Sequence, residues 1–254
     1  MFGEERKKEI LNILNLKGNV KVSELSKYYN VSEVTIRKDL QELEEAGRIE
    51  RVHGGAVAPQ KAKYEPTFTE KTDKYIDEKI AIGKVAASLI KEGDTIALDA
   101  GTTTLQVAKN IGQESLTVIT NSLDIAEELS DRKNVEVIVI GGSLRWETRA
   151  LVGPVANMAL QSFNVDKAFI GVNGISIKKG ATTPDVTEAH TKKALIKSSK
   201  ETIIVCDHSK FDFVSFSKIV DMDEIDCIVT DDEVEEVNVK AFSEKGFKII
   251  IARS

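Results

Sequence analysis

Cysteine is scarce: the chain has two among 254 residues, Cys206 and Cys227. They show no metal-ligand spacing, so neither a disulfide framework nor a zinc site is expected, and no metal or cofactor is implied. Both thiols are expected to be buried. No apolar run approaches the roughly 18 residues of a membrane span. The opening residues, Met1-Phe2-Gly3-Glu4-Glu5-Arg6-Lys7-Lys8, lack the apolar segment of a secretory signal. A reducing, cytoplasmic setting without a membrane partner is the resulting expectation. A large basic excess is also missing. The net charge is −6, yet residues 1–60 hold ten Lys/Arg against ten Asp/Glu, so the remainder carries all of it. A neutral head on an acidic body leaves room for nucleic-acid binding only through a few well-placed basic residues.

What is present suffices for packed domains. Apolar residues make up 41% and charged residues 30%, and the length suits one or two domains. The pattern changes along the chain. Residues 1–58 read as helices followed by a short β element, and 76–254 alternate strand and helix. Residues 59–75, with Pro59 and Pro66 and little periodicity, read as a linker or extended arm.

In the head, Ile10, Leu11, Ile13 and Leu14 form a helical stripe, ended at Gly18-Asn19. Ser23 reads as the N-cap of a second helix, Asn30-Val31 as a tight turn, and Ser32 as the cap of a third helix closed by Gly47. Two short strands about Gly54-Gly55 then predict a hairpin. Helix, helix, turn, helix, hairpin is the order of a winged helix-turn-helix. In the third helix Ile36, Leu40 and Leu43 follow inward spacing, which turns Val34, Thr35, Lys38 and Gln41 outward with Arg37 on a flank. Short hydroxyl and basic side chains at such a helix end suit the major groove of DNA.

In the body, apolar runs recur at 95–98, 116–120, 135–140, 168–172, 202–206, 228–230 and 248–252. Helical stretches are expected at 80–91, 105–111, 122–129 and 189–198. Strands this apolar, alternating with helices, predict a Rossmann-like, mainly parallel, doubly wound α/β sheet. Ligands of such sheets collect at the carboxyl ends of the strands. There the sequence places Asp99-Ala100-Gly101-Thr102-Thr103-Thr104, whose permissive Gly101, hydroxyls and helix-start N–H groups can cradle an anion. Asp99 suits a sugar hydroxyl or a lysine rather than a phosphate. Asn121-Ser122 and Gly171-Val172-Asn173-Gly174 repeat the placement. Lys210, then Lys192, are the candidate cations, and Glu188 is either a hydroxyl acceptor or a first-turn helix charge. Asp207-His208-Ser209 holds triad residue types in a spacing that precludes a triad. The acidic residues Asp231-Asp232-Glu233 with Glu235-Glu236 read as a solvated turn, and Trp146, next to Arg145, chiefly as a packing residue, with stacking on a ligand or partner as the alternative.

The segment Val31-Ser32-Glu33-Val34-Thr35-Ile36-Arg37-Lys38-Asp39-Leu40, with Leu43, Gly47 and Arg51-Val52-His53-Gly54-Gly55-Ala56, strongly resembles the DNA-binding signature of the DeoR/GlpR family of bacterial transcriptional regulators. The family often carries two arginines where this chain has Arg37-Lys38, and lysine lacks the bidentate fork. The resemblance continues through residues 99–104, Asn121-Ser122-Leu123, Gly141-Gly142 with Arg145, residues 171–174, Glu188-Ala189 with Lys192-Lys193, and residues 207–211. It implies an operator-binding set of Ser23, Ser32, Glu33, Thr35, Arg37, Lys38, Arg51 and His53. It also implies an effector domain related in fold to ribose-phosphate isomerases, with Asp99, Gly101, Thr102, Thr103, Thr104, Asn121, Ser122, Arg145, Gly171, Asn173, Gly174, Glu188, Lys192 and Lys210 around a phosphorylated sugar. The expectation is a regulator, chiefly a repressor, of carbohydrate genes. It should act on double-stranded DNA as a homo-oligomer, at least a dimer on a symmetric site. The alternative is a sugar-phosphate isomerase with an accessory DNA-binding domain, using Glu188 and Lys192 as base and cation.

Overall fold

A computed structural model describes residues 3–17, 19–45, 48–52, 54–57, 62–112 and 115–253. The expected roles of Gly18, Gly47 and His53 lie outside the described residues. The chain divides into two compact units, 1–61 and 62–254.

The head runs α1 (Gly3–Lys17), β1 (Asn19–Lys21), α2 (Val22–Tyr29), α3 (Glu33–Glu45), β2 (Glu50–Val52) and β3 (Gly55–Val57). Ile10 and Leu14 of α1 meet Leu25 of α2 and Ile36, Leu40 and Leu43 of α3 in one buried cluster, as their spacing predicts. Asn30 ends α2 in the left-handed conformation, with φ 52°. Ser32 caps α3, its Oγ accepting from Thr35 N at 3.2 Å. Two expectations change. The wing is a three-stranded antiparallel sheet in the order β1-β3-β2, not a lone hairpin. Gly55 is needed there, because a Cβ would stand 2.0 Å from Val20 O. Ser23 is not an N-cap: β1 runs straight into α2, Lys21 holds the cap position, and Val22 N is taken by Gly54 O at 2.8 Å. The strand pairing thus decides where the helix starts.

The body begins with α4 (Phe68–Thr72), α5 (Ile76–Ala87), β4 (Thr95–Leu98), α6 (Thr102–Lys109), β5 (Leu116–Thr120), α7 (Leu123–Leu129) and β6 (Val135–Val139). A short hairpin, β7 (Ser143–Arg145) with β8 (Ala150–Val152), and α8 (Pro154–Leu160) follow. Then come β9 (Val165–Gly171), β10 (Gly174–Ser176), β11 (Gly180–Thr183), α9 (Val186–Lys197), β12 (Ser199–Val205), β13 (Ser217–Val220), β14 (Cys227–Asp231), α10 (Glu236–Glu244) and β15 (Lys248–Ala252). All seven expected runs enter one parallel sheet in the order β15-β14-β12-β9-β4-β5-β6.

Alternation along each strand serves two cores. Ile96, Leu98, Phe169, Ile203 and Val205 pack beneath α5, α6 and α7. Ala97, Ala168, Ile170 and Ile204 pack beneath α8, α9 and α10. The sheet is therefore doubly wound, and its order reverses between β4 and β9, the place where such folds open a crevice. The antiparallel β10-β11-β13 sheet and the β7-β8 hairpin carry no expectation from the sequence, because strands of three or four residues show too little alternation. Cys206 and Cys227 are free and buried, as expected.

Much of the segment expected as an arm at 59–75 belongs to the second unit. Thr67 and Glu70 form a capping box at α4. Ala62 O accepts from Phe216 N at 2.9 Å and Ser215 Oγ at 2.8 Å. Phe68 N donates to Glu147 O at 2.6 Å. The following helix, α5, starts at Ile76 rather than at 80, after Tyr75 in the left-handed conformation. Trp146 is exposed, contrary to expectation, since it sits at the turn of the β7-β8 hairpin. Asp231 is fully buried rather than solvated: it ends an interior strand and accepts from His208 N, at 2.7 Å, and from Glu233 N.

Candidate functional site

On the head, α3 presents Val34, Arg37, Lys38 and Gln41 to solvent, with Thr35 partly covered. Thr35 Oγ1 lies 2.9 Å from Ser32 Oγ, so the cap also orients the hydroxyl beside it. Arg37 pairs along the helix with Glu33 at 2.6 Å, both half-exposed. Lys38 is exposed. Arg51, on β2, lies 3.6 Å from Glu44. Ser23, although not a cap, is exposed in the first turn of α2. Beneath this face the structure adds a pair that the sequence reading overlooked. Asp39 is buried and accepts from Arg6 Nε at 2.5 Å and Nη2 at 3.0 Å. Asp39 is charged but sits at an inward position of α3; that misfit was the available signal. The hydrogen bond to Asp39 holds the Arg6 guanidinium's pKa above its ordinary value.

In the second unit, β4 ends at Leu98 and β9 at Gly171, so Asp99 and Gly171 meet at the switch point. Asp99 Oδ2 accepts from Gly171 N at 3.1 Å and from Lys192 Nζ. Lys192 also donates to Gly171 O at 3.0 Å and lies 3.4 Å from Glu188. Burial raises the Asp99 pKa. For Lys192, burial works against the charge, but Asp99 and Glu188 together outweigh it and raise its pKa. Arg145 joins from β7, 2.8 Å from Asp185 and 3.3 Å from Glu188 Oε2, the latter off the line of a hydrogen bond.

Beside this cluster α6 opens after Gly101. Its first-turn N–H groups have no partner within the helix, and Thr102, Thr103 and Thr104 are buried against it. Thr104 is partly committed, its hydroxyl donating to Gly101 O at 2.9 Å. Gly101 has an extended φ of 170°, which any residue adopts, so its permissiveness is not what the loop uses. Asn121 and Ser122 are internal struts. The Asn121 amide holds Ala100 N at 3.1 Å and Leu151 O at 3.2 Å, and Ser122 caps α7 through Ile125 N. Asn173 is also engaged, with Thr183 at 3.0 Å and Glu65 at 3.2 Å. Gly174 is required for close approach: a Cβ would lie 2.3 Å from Phe213 O.

Of the two expected cations, Lys192 is already held by two carboxylates. Lys210 reaches Ser209 at 3.1 Å and Asp207 at 3.8 Å. The structure brings Lys74 and Lys79 into electrostatic reach of Lys210 and Asp207, two lysines absent from the sequence expectation. Lys79 is buried and bonded to Lys71 O. Burial, reinforced by the neighbouring lysines and opposed by Asp207, lowers its pKa to about 8. Of these lysines only Lys79 is buried; Lys74 is exposed and Lys210 is partly covered. His208 pairs with Asp231 at 2.8 Å and Ser209 with Asp207, so the triad residue types form separate contacts. Among the described residues no three His, Cys, Asp or Glu side chains converge as a metal site. No helix among them is long and apolar enough to cross a membrane.

A winged helix-turn-helix joined to a doubly wound sheet with a polar cluster at its switch point defines the class of two-part, DNA-binding regulators. Residues 6–62 match the DeoR-like helix-turn-helix domain, and residues 74–232 match the DeoR C terminal sensor domain. The chain is similar over its whole length to curated regulators. It is 38% identical to the HTH-type transcriptional regulator YgbI of Escherichia coli strain K12, covering 100% of both chains. It is 37% identical to YulB of Bacillus subtilis strain 168, covering 98% of this chain and 96% of the relative. It is 35% identical to the HTH-type transcriptional repressor GlcR of the same strain, covering 99% and 97%. The chain belongs to the DeoR family of transcriptional regulators. That places it among DNA-binding proteins rather than with the isomerase alternative. A solved ribose 5-phosphate isomerase A from Methanocaldococcus jannaschii is similar over 54% of this chain and 55% of its own, with TM-score 0.40 and 17% identity, too loose a likeness to carry an argument.

Proposed function

We propose that this protein represses genes of carbohydrate metabolism and that a phosphorylated sugar, held at the β4–β9 switch point, alters its grip on DNA. One observation carries the reading: a helix start with three threonines and a buried carboxylate–lysine cluster both belong to segments at the carboxyl ends of the parallel strands, and Lys210 follows another of those strands with Lys74 and Lys79 in electrostatic reach of it. The α6 N-terminus and the lysines at 74, 79 and 210 suit the phosphate. Asp99 and Glu188 suit hydroxyls. A relative named as a repressor supports the direction of control.

On the head, Arg37 and Lys38 reach base edges or phosphates of an operator, and Arg37 exchanges Glu33 for DNA. Ser32 and Thr35 present the end of α3 to the groove, with Ser23 and Arg51 on the flanking backbone. One module supplies too few base contacts for genomic selectivity, so the active species is at least a dimer. A ligand coupling of about 1–3 kcal/mol gives roughly 5- to 150-fold control.

The test uses a duplex selected by the full-length protein from a random pool. Phosphorylated sugars are expected to raise the melting temperature and change duplex affinity, while their unphosphorylated counterparts do neither. Equal responses to both would remove the phosphate from the reading.

A further inference from the structure

Among the described residues, five buried side-chain polar atoms lack a hydrogen-bond partner, and three of them, Asp99 Oδ1, Glu65 Oε2 and Arg145 Nε, belong to one connected cluster. Glu65 is the unexpected member. It lies in the strap before α4, far in sequence from the other two, and its side chain is 4% exposed. Its Oε1 accepts from Lys71 Nζ at 2.7 Å and from Asn173 Nδ2 at 3.2 Å. Through Asn173 it joins the loop whose Gly171 bonds both Asp99 and Lys192. Its charge also acts on Lys192.

An ionised carboxylate accepts through both oxygens, and leaving one unmade in a buried site is costly. Oε1 is doubly used, so Oε2 is the acceptor to spare. The Asn173 amide, by contrast, has its carbonyl taken by Thr183 and its NH2 donating to Glu65. Asn173 therefore positions Glu65. Two spare carboxylate oxygens in one cluster, on Asp99 and Glu65, call for O–H donors, and a polyol supplies several on one molecule.

We propose that Glu65 is a specificity-determining residue that accepts a hydroxyl of the bound sugar phosphate through Oε2. This rests on the sensor reading above and assigns part of it to the strap leading from the head rather than to the sheet.

Glu65→Gln is a directed test. Lys71 and Asn173 both donate to the same oxygen, so the glutamine carbonyl must face them, and its NH2 replaces Oε2. An acceptor becomes a donor with little change in shape. Full-length wild type, Glu65→Gln and Glu65→Asp are compared by thermal shift and calorimetry with ribose 5-phosphate, glucose 6-phosphate, fructose 1-phosphate and inorganic phosphate. The most stabilising sugar is then repeated as its deoxy analogues. Glu65→Gln is expected to bind that sugar roughly tenfold or more weakly, with the response to inorganic phosphate unchanged. One deoxy analogue should cost the wild type a similar factor and cost Glu65→Gln nothing further. Glu65→Asp keeps the charge, retracts it by one methylene, and should fall between; it serves also if the glutamine variant does not fold. Sugar affinity unchanged in both variants, as for an oxygen served only by structural water, overturns the proposal. So does a loss shared equally by every sugar, deoxy analogue and inorganic phosphate. A wild type stabilised by no phosphosugar fells the sensor reading itself, and this inference with it.

Discussion

Each unit buries an ion pair, and the two pairs are built differently. In the head, Asp39 meets Arg6 through both carboxylate oxygens, one charge against one charge. In the sensor, Asp99 gives one oxygen to Lys192 and Gly171 and leaves the other without a partner, while Glu188 and Glu65 add negative charge nearby. A closed pair can hold helices together and do nothing more. An open pair keeps polar capacity in a dry place, which stability alone does not favour. The comparison teaches that hydrogen-bond completeness, rather than burial, separates a structural pair from a candidate binding one.

The largest expected effect comes from opening the closed pair. Asp39→Ala leaves the Arg6 charge buried alone and should cost about 3–5 kcal/mol, seen as lost duplex binding while the sensor's response to ligand persists. Replacing the whole pair, Arg6→Met with Asp39→Leu, should restore most of that stability and duplex binding. The matching double change in the sensor, Asp99→Leu with Lys192→Met, should also fold but lose every response to phosphosugar. Recovery of that response would break the comparison.

Next in size, Thr103→Phe should fill the start of α6. It would remove the ligand's stabilisation, about 2.7 kcal/mol at a concentration of 100 times Kd, with duplex affinity intact in a gel shift. On the other unit, Arg37→Ala should weaken operator binding by about 1–3 kcal/mol and relax base preference, whereas Lys38→Ala should weaken all sequences alike. A base preference identical to wild type in Arg37→Ala would remove Arg37 from the groove.

The smallest effect is a pH dependence confined to the sensor. The hydrogen bond to Asp231 raises the His208 pKa above its ordinary value, about 6.5 in model peptides. The stability this pair contributes is therefore complete below that ordinary value and is lost as pH rises through the raised one. Melting temperature followed upward from roughly pH 6 should fall more in wild type than in His208→Gln. Parallel curves would mean that the imidazole is not charged in the fold.

Much of the fold is legible in the sequence. Seven apolar runs became seven parallel strands, and Ile36, Leu40 and Leu43 face inward, because local alternation reports burial directly. Asp99, Gly171, Glu188 and Lys192 were expected together, and the structure brings them together. Ser23 failed as a cap because strand pairing, not local capping chemistry, sets the start of α2. Asn121, Ser122 and Asn173 are expected around the ligand, and in the structure their side chains also brace neighbouring segments, a role that strand-end position alone does not reveal. Glu65 and Lys74 lie in a proline-bearing stretch whose lack of periodicity looks like a tether, and Lys79 lies just before the helix expected from residue 80.

The amino-acid order alone determined which segments are strands, which face of α3 meets solvent, and that the two halves follow different architectures. These are matters of periodicity within one element, where neighbouring side chains share one environment. Which charges meet was decided only in three dimensions. Asp99 and Lys192 are 93 residues apart, and Glu65 and Asn173 are 108 apart. The first pair meets where the sheet reverses its order between β4 and β9, the second where the segment before α4 reaches the loop after β9, and a Coulombic contact depends on distance through space rather than along the chain.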